Sequence, residues 1–299
     1  SNYAPPTTTP GSPAAVPPSR AVDLSWVVAG GGSFPESNQL SLEEDLALAQ
    51  EVFGPGGQLL FAGGAGADGV QVLDATPRGD PLMTRLGVLF SPRSGRDSHY
   101  RRTRLAPTAA ATARGLYDLL TAALAQGDSP FTLYVAAHGE PGEVPAQNVL
   151  ALWAGTSLVV TDLADVLDQA KGRRPVRIVL TSCFSGGFAE IAFDGADPAR
   201  GPARSDRCGF FAATWDQEAS GCDPDPDRRH HEGYGIHFLH ALRGQDRQGM
   251  PLPLSALDLD GDGQISLLEG HTRARIASRG VDVPTTTSER WLRHAAPAA

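Results

Sequence analysis

The sequence predicts an α/β protein with a mostly parallel β-sheet covered by helices on both faces. Five short apolar runs bounded by glycine or proline predict buried strands. The runs are apolar throughout rather than at every second residue, which is typical of strands buried on both faces. Helical patterns lie between them, and this alternation favours parallel strands joined by helices. The predicted strands are 24–29, 58–62, 131–137, 176–181 and 209–214.

Three segments between these runs carry helical patterns. One opens with Ser41 and Glu44 at the spacing of a capping box, which predicts that Ser41 caps a helix. Another is preceded by Thr161, which is predicted to be its N-cap. A small hairpin centred on Gly155 is predicted for residues 149–160. The predicted helices are 41–53, 108–126 and 162–170.

The composition of the 299 residues excludes several function classes. Apolar residues make up 41% and charged residues 20%, which is ordinary for a globular protein with a sizeable core. The formal net charge of -9 argues against a nucleic-acid surface, because phosphate binding needs clustered lysine and arginine. No apolar run approaches the roughly 20 residues that a membrane-spanning helix requires. We therefore expect neither a membrane span nor a nucleic-acid partner.

The chain divides into three predicted parts. Residues 1–20 are rich in proline, threonine and serine and nearly free of charge, which predicts a disordered tether. Such a tether often follows an export signal or a lipid anchor, which favours a secreted, periplasmic or cell-envelope protein over a cytosolic tail. Residues 21–245 form the predicted main domain, and residues 246–299 form a C-terminal extension. The abundance of alanine, proline, glycine and arginine suggests a GC-rich bacterial gene.

The three cysteines fall into two neighbourhoods. Cys183 directly follows a predicted strand, while Cys208 and Cys222 lie close together in a later segment. A bridge between Cys208 and Cys222 would close a short loop and stabilise the fold by about 3 kcal/mol in the chain-entropy model. It would also imply an oxidising compartment. The alternative is two unrelated buried thiols.

Two predicted strands end at residues that are competent for catalysis. The run 131–137 leads into His138, and the run 176–181 leads to Cys183. Because ligands bind at the C-terminal edge of an open parallel sheet, adjacent strands would aim an imidazole and a thiol into one cleft. A thiolate attacks a carbonyl, and a nearby imidazole lowers the thiol pKa and protonates the leaving amine. We therefore predict that His138 and Cys183 form a catalytic pair.

Each of these two residues alone has an ordinary structural explanation. A cysteine at the end of a buried strand is usually a small core residue, and a histidine beside glycine is usually part of a turn. The joint pattern of two apolar strands, each followed by one of these residues, is much rarer and favours catalysis. Gly139, Gly186 and Gly187 would let a substrate approach closely and leave main-chain N–H groups to stabilise an oxyanion.

The motifs around both residues resemble those of the caspase-like cysteine peptidases, and of the legumain family in particular. The text AAHGEPG at 136–142 matches a His-Gly-x-Pro-Gly context for the catalytic histidine. The text LTSCFSGGF at 180–188 matches a Cys-x-Ser-Gly context for the nucleophile. Weaker similarity extends over residues 22–242, and the segments that carry it are WVVAGG, SHYRRTRLAPTAAATARGLYDLL and FAATWDQEAS.

The resemblance implies a caspase-like fold, in which a mostly parallel six-stranded sheet lies between two layers of helices. It implies an endopeptidase that cleaves peptides or proteins through a thioester, with an oxyanion hole built from the main chain of Gly139 and Cys183. Two alternatives remain on the same fold. One is a catalytically silent, calcium-dependent interaction module, and the other is a peptide ligase that uses the same thioester.

The sequence departs from the legumain pattern near the predicted substrate pocket. Legumains place an Arg-His pair after the first strand to bind P1, the substrate residue before the scissile bond, whereas residues 37–39 here are Ser-Asn-Gln. Asparagine at P1 is therefore only one alternative. Asp216 and Glu232 fall where caspase-like enzymes build this pocket, so we expect arginine or lysine at P1 unless both carboxylates are merely solvated. The composition of residues 194–207 predicts an exposed loop. This loop is expected to remain uncleaved, and the alternative is that the protein cleaves itself there.

Residues 258–269 match the loop of an EF-hand calcium site at each diagnostic position. Carboxylates at alternating positions converge on one hard cation, Gly263 permits the sharp turn, and Ser266 is expected to act through water. The alternative is an acidic turn that never binds a metal. We expect Ca²⁺ to order the following helix, 267–278, against the main domain. The predicted ligands are Asp258, Asp260, Asp262, Gln264 and Glu269.

Overall fold

The computed structural model describes residues 23–66, 68–75, 80–90, 96–170 and 174–296. The tether predicted for residues 1–20 lies outside the described residues. The strands are β1 Trp26–Gly31, β2 Gly57–Phe61, β3 Asp68–Leu73, β4 Ser98–Arg102, β5 Phe131–Glu140, β6 Val149–Leu152, β7 Thr156–Val159, β8 Val176–Leu180, β9 Arg207–Phe211 and β10 Thr285–Thr286. The helices are α1 Leu40–Phe53, α2 Pro81–Phe90, α3 Ala113–Leu124, α4 Val160–Gln169, α5 Tyr234–Leu242, α6 Leu267–Ala277 and α7 Thr287–Ala295.

Six strands form the main sheet in the order β10-β9-β8-β5-β1-β2. The strands β2, β1, β5, β8 and β9 run parallel, and β10 pairs antiparallel with β9 at one edge. Each of the five predicted strands exists within a few residues of its predicted bounds. The predicted α/β fold class is confirmed, and the sheet has the six-stranded, mostly parallel form that the motif resemblance implied.

Each face of the main sheet buries its own core. On β1, Val27 and Ala29 belong to the core beneath α3 and α4, whereas Trp26 and Val28 belong to the core beneath α1, α5 and α6. Successive side chains of a strand alternate between the two faces, so a strand covered on both sides must be apolar throughout. This is why the strands stand out in the sequence as uninterrupted apolar runs.

The N-termini of two helices differ from the predicted caps. α1 follows Gln39, and the Ser41 hydroxyl instead accepts a hydrogen bond from the N–H of Asp223 at 2.7 Å. α4 follows Val159, and Thr161 lies inside its first turn. The capping signals therefore placed these helices within two residues but did not identify their first residue, because tertiary partners compete for the same hydroxyl groups.

α3 begins at Ala113, later than the start at residue 108 that the sequence predicted. The Thr112 side chain caps it. Residues 108–111 are extended instead, because the N–H of Thr108 donates to the carbonyl oxygen of Leu59 at 2.8 Å along the edge of β2. Main-chain hydrogen bonds to the sheet therefore form in place of a first helical turn. Apolar spacing alone does not show whether a segment bonds within a helix or to a neighbouring strand.

The hairpin predicted around Gly155 is confirmed. β6 and β7 pair antiparallel, and β6 also pairs with the end of β5, beyond the main sheet. Gly155 lies between the two strands with φ 67°, a left-handed conformation that favours glycine. The sequence did not predict α2 or the separate sheet of β3 and β4. Because α2 separates β3 from β4 in the chain, no short-range hairpin signal marks them.

The C-terminal extension packs on the main domain. It supplies β10 to the sheet, and α6 packs against α5, where Gly270 permits a close approach to Leu242. The ring of His271 on α6 contacts the rings of Phe210 and Tyr234 in the core. Within the part of the chain that the structure describes, no helix has both the length and the apolar character to cross a bilayer.

Candidate active site

His138 and Cys183 lie in neighbouring segments at the C-terminal edge of the main sheet. β5 pairs directly with β8, His138 is near the end of β5, and Cys183 follows β8. The two segments touch through their main chains, because a Cβ at Gly139 would overlap the main-chain carbonyl of Cys183. Only glycine fits at position 139, so close packing explains this residue independently of any role toward a substrate.

The imidazole of His138 is oriented by the segment that follows β1. Its Nε2 lies 2.7 Å from the main-chain carbonyl oxygen of Ser37 and 3.0 Å from Oε1 of Gln39. A carbonyl oxygen only accepts hydrogen bonds, so Nε2 carries the proton of the neutral ring and Nδ1 has a free lone pair. Residues 37–39, where the chain departs from the legumain pattern, therefore hold the histidine in the tautomer of a base.

The Cys183 thiol is half-buried beneath the segment that follows β9. The N–H of Ala219 donates to its Sγ at 3.3 Å, and the carbonyl oxygen of Ala219 lies 3.5 Å from it. Burial raises the pKa of this thiol; the N–H of Ala219 opposes that effect, and the Glu218 and Asp282 carboxylates add to it. The structure thus favours the neutral thiol, and a base must remove its proton before it attacks a carbonyl.

A sharp turn follows Cys183. Phe184 has φ 57° and ψ 14°, in the left-handed region that residues other than glycine seldom use. The 3₁₀-helix Ser185–Ala192 begins directly after it. Strained turns of this kind cluster at functional sites, where they present one side chain at the end of a strand.

Gly186 and Gly187 make room for the protein itself rather than for a substrate. A Cβ at Gly186 would lie 2.6 Å from the carbonyl oxygen of Ala213, and one at Gly187 would lie 2.5 Å from Nδ2 of Asn148. The N–H of Gly187 donates to the carbonyl oxygen of Phe184 at 3.1 Å. This donor is therefore used within the 3₁₀-helix, and the expectation that Gly187 offers a free N–H to an oxyanion is wrong.

A buried asparagine joins the three segments around the thiol. Nδ2 of Asn148 donates to the carbonyl oxygens of Phe184 at 2.8 Å and Trp215 at 2.7 Å, and its Oδ1 accepts from the N–H of Gly142 at 2.9 Å. Asn148 is 0% exposed, so water does not compete for these bonds. The sequence reasoning missed this residue, because no motif marks it and its partners are distant in the chain.

A second thiol faces the imidazole. Sγ of Cys222 lies 3.7 Å from Nδ1 of His138, within the reach of a weak S–H hydrogen bond to the ring nitrogen that carries the lone pair. Cys183 and Cys222 line the same pocket. The resting arrangement therefore places the thiol of Cys222 beside the base, and the thiol of Cys183 in the pocket that Cys222 also lines.

The predicted bridge between Cys208 and Cys222 is wrong, since both residues are present as thiols. In the sheet, Cys208 on β9 lies level with Arg177 on β8 and Thr132 on β5, near the N-terminal ends of these strands. His138 is on β5 six residues further, which at about 3.3 Å per residue places it about 20 Å away. Because Cys222 contacts His138, it is far beyond the Cα separation of about 7 Å that a disulfide permits.

The pocket beside Cys183 is acidic. Its lining includes the carboxylates of Glu44 and Asp45 from α1 and of Glu232 just before α5. Asp216, which was predicted to belong here, lies outside this pocket, exposed in the turn after β9, where its Oδ1 accepts from the Thr214 hydroxyl at 2.9 Å. Of the two carboxylates predicted to line the pocket, Glu232 does so and Asp216 does not. Two carboxylates that were not predicted, Glu44 and Asp45 on α1, also line it.

Glu232 lines this pocket, and its carboxylate has hydrogen-bond and ion-pair partners within the protein. Its carboxylate lies 2.6 Å from Nε2 of His237, contacts the guanidinium of Arg247 and accepts from the N–H of Arg279 at 3.1 Å. Burial acts to raise the pKa of Glu232, but the Arg279 N–H, His237 and Arg247 together hold it below its ordinary value. Its negative charge is therefore largely compensated within the protein.

The acidic loop 258–269 has the shape of a cation site. The carboxylate oxygens of Asp258, Asp260 and Asp262 all lie within 4.8 Å of one another. Gly263 has φ 85°, as the sharp turn of such a loop requires. The residues present therefore fit a hard divalent cation, for which oxygen ligands at this spacing are suitable.

Glu269 turns back toward the same loop. Its Oε1 accepts from the N–H of Leu259 at 2.5 Å, and its Oε2 accepts from the N–H of Ser266 at 2.7 Å. Ser266 caps α6 and exchanges hydrogen bonds with Glu269 in a capping box. The loop is thus tied directly to the start of α6, although a short 3₁₀-turn, Leu254–Ala256, precedes the loop in place of the entering helix of a complete EF-hand.

Comparison with known proteins gives distant similarities only. No protein-family model matches the chain, and no curated protein matches it. A structural-genomics protein from Geobacter sulfurreducens aligns with a TM-score of 0.44 and 12% identity, over 88% of this chain and 92% of that chain. Caspase-1 from Spodoptera frugiperda aligns with a TM-score of 0.46 and 10% identity, over 89% of this chain and 86% of that chain.

Proposed function

We propose that the protein is a cysteine peptidase in which Cys183 is the nucleophile and His138 is the base. The observation that carries this proposal is the orientation of His138. The Ser37 carbonyl holds the proton on Nε2, so the lone pair of Nδ1 faces the thiol of Cys222, which lines the same pocket as Cys183. The position of both residues at the C-terminal edge of a parallel sheet and the caspase-like motifs around them support the same chemistry.

In the proposed reaction, Nδ1 of His138 accepts the proton of the Cys183 thiol as the sulfur attacks the scissile carbonyl carbon. The resulting oxyanion accepts hydrogen bonds from the main-chain N–H groups of Gly139 and Cys183. The imidazolium then protonates the leaving amine as the C–N bond breaks, which leaves a thioester. Water, deprotonated by the same nitrogen, attacks the thioester and restores the thiol.

One rearrangement precedes attack in this proposal. Residues 219–222 carry both contacts of the resting state: Ala219 covers the Cys183 thiol, and Cys222 occupies Nδ1 of His138. A substrate strand that displaces this segment removes both contacts together, which frees the thiol and the base at the same moment. Because burial raises the pKa of Cys183, the thiol stays neutral until then.

Two other functions use the same fold. A catalytically silent interaction module would keep the resting contacts of Ala219 and Cys222 permanently, and these contacts are the observation that favours it. A peptide ligase would pass the acyl group of Cys183 to an amine rather than to water. An added amine that competes with water for the acyl group would distinguish the ligase from the hydrolase.

The proposed function is tested with a peptide library of diverse sequence incubated with the purified protein in calcium. New peptide termini are read by mass spectrometry, with a His138→Ala variant of equal melting temperature as control. A peptidase produces new termini at a defined residue in the wild type only. Equal patterns in both proteins, or no cleavage by folded wild type, would reject the peptidase and favour the silent module.

We also propose that the loop 258–269 binds Ca²⁺ as a structural ion. Asp258, Asp260 and Asp262 would supply monodentate oxygens, Gln264 its carbonyl, and Glu269 a bidentate carboxylate. The clustered aspartates and the inward turn of Glu269 support this assignment. An exported location, proposed from the sequence of residues 1–20, would expose the loop to the calcium levels at which extracellular sites of about 10⁻⁴ to 10⁻³ M affinity fill.

Calcium is expected to raise the melting temperature, because it binds the folded loop and not the unfolded chain. At a free concentration 100 times its Kd, the gain is about 2.7 kcal/mol. For a protein of this size, that gain corresponds to roughly 5 to 10 °C. The measurement is thermal unfolding in calcium and in excess chelator, for wild type and for Asp258→Ala, which removes the ligand at the first position of the loop. An unchanged melting temperature in chelator, or an equal calcium response in the variant, would contradict the site.

A further inference from the structure

Three carboxylates line the pocket beside Cys183, and two of them already have cationic partners. The Glu44 carboxylate lies 3.3 Å from Nδ1 of His231 and 3.6 Å from Nε of Arg228. The Glu232 carboxylate pairs with the side chains of His237 and Arg247 and accepts from the main-chain N–H of Arg279. These two groups therefore contribute little uncompensated charge to a ligand in the pocket.

The third carboxylate, Asp45, has only neutral hydrogen-bond partners. Its Oδ2 accepts from the phenol of Tyr134 at 2.8 Å, and the hydroxyl of Thr181 also contributes a hydrogen bond. None of the ion pairs among the described residues includes Asp45. The charge of Arg228 acts on Asp45 from beyond ion-pair distance. A carboxylate largely enclosed by protein without an ion pair is unfavourable for stability, so its retention at the pocket points to a ligand that supplies the charge.

The protein leaves room for this carboxylate. A Cβ at Gly235, in the first turn of α5, would lie 2.5 Å from Oδ2 of Asp45 and 2.6 Å from the phenol oxygen of Tyr134. Position 235 therefore has to be glycine if Asp45 is to face the pocket. Asp45 also lies three residues after Leu42 and four before Ala49, so it shares a face of α1 with these two buried apolar residues, where a charged residue is unusual.

We infer, on the basis of the proposed peptidase function, that Asp45 is the residue that selects the substrate, by pairing with the guanidinium or ammonium group of arginine or lysine at P1. The cavity is small, about 50 Å³. The lining groups Leu48, Ala137 and Ile236 provide an apolar path for its methylene groups, and Cys183 borders the same pocket.

The ionisation of Asp45 sets the pH range in which the pocket can bind a cation. Burial raises its pKa to about 6, and the Tyr134 hydrogen bond and the charge of Arg228 act in the opposite direction. The other charged groups facing it are Glu44 on its own helix, and His231 and Glu232 on the segment before α5. A cation binds the ionised form, so binding is expected to weaken as the pH falls through about 6.

The test measures binding rather than cleavage, so that it does not depend on the peptidase function. Butylguanidine, which mimics an arginine side chain, and its neutral isostere butylurea are titrated into the protein, with NMR or calorimetry as the readout. Wild type is expected to bind butylguanidine and not butylurea. Asp45→Asn is expected to bind butylguanidine at least about tenfold more weakly and to lose the pH dependence near 6. Asp216→Asn is the matched control and is expected to behave as wild type.

Three results would overturn the inference: equal binding of the two ligands by wild type, unchanged butylguanidine binding by Asp45→Asn, or an equal loss in Asp216→Asn. If Asp45→Asn does not fold, Gly235→Ala provides a second variant, because its methyl group displaces the carboxylate and is expected to weaken butylguanidine binding in the same way. Cleavage of a peptide library at residues other than arginine and lysine, with butylguanidine bound normally, would reject Asp45 as the residue that selects P1 while leaving the peptidase proposal intact.

Discussion

Cys183→Ala is expected to lower kcat for peptide hydrolysis by at least about 10⁴-fold, because no thioester forms without the sulfur. The KM for peptide should change little, since the pocket carboxylates and the main chain of the cleft remain. Initial rates on a peptide that the wild type cleaves provide the measurement. The half-burial of the thiol and its small volume predict a folded variant, which melting curves verify.

The matched control is Cys222→Ala, which removes the other thiol of the pocket. This variant is expected to retain hydrolysis within about threefold of wild type, because the thioester forms on Cys183 and loss of Cys222 only releases Nδ1 of His138. Cys208→Ala, remote from the cleft, should behave as wild type. Activity retained in Cys183→Ala and lost in Cys222→Ala would identify Cys222 as the nucleophile and contradict the proposed assignment.

Asn148→Ala is expected to damage both stability and turnover. The change leaves three partly buried main-chain groups, in the segments carrying Gly142, Phe184 and Trp215, without their partner. Unsatisfied buried groups cost about 1 to 3 kcal/mol each, and partial relaxation makes a total of about 3 kcal/mol reasonable. The melting temperature should fall by about 6 to 12 °C. Displacement of the Cys183 turn from His138 should lower kcat by about 100-fold.

Gln147→Ala is the matched control for Asn148→Ala. Gln147 is the exposed neighbour, and its side chain accepts one hydrogen bond, from the N–H of Glu143 at 3.2 Å. Its replacement should change the melting temperature by less than about 2 °C and leave kcat near wild type. A similar loss in both variants, or a normal kcat in Asn148→Ala, would show that Asn148 does not position the catalytic turn.

Sequence patterns located most of the main sheet because burial imposes a composition on it. A strand covered on both faces is apolar at most positions, so β1, β2, β5, β8 and β9 were all visible as largely apolar runs. Helix starts were less well defined. Ser41 was predicted to cap α1, and residues 108–111 were predicted to begin α3. Both instead form hydrogen bonds with segments distant in the chain, and a local sequence signal carries no information about such partners.

Sequence motifs located the candidate site because they lie directly at the ends of strands. His138 and Cys183 follow apolar strands within recognisable motifs, and the parallel pairing of β5 with β8 brought their segments together. Sequence reasoning failed for residues whose role depends on a partner elsewhere in the chain. Asn148 joins three loops, and Asp45 appears in the sequence as one of three consecutive acidic residues in a helix. A weak signal for Asp45 was its position on the apolar face of α1.

The sequence by itself determined the α/β class, the two candidate catalytic residues and the acidic loop, because apolar periodicity and short motifs encode these locally. Only the tertiary structure decided which nitrogen of His138 faces the cleft, that Cys222 rather than Asp216 lines the pocket with Cys183, and that Cys208 is too distant for a bridge. These properties depend on distances between segments far apart in the chain. Such distances follow from the register of the whole sheet, and no single segment of the sequence specifies that register.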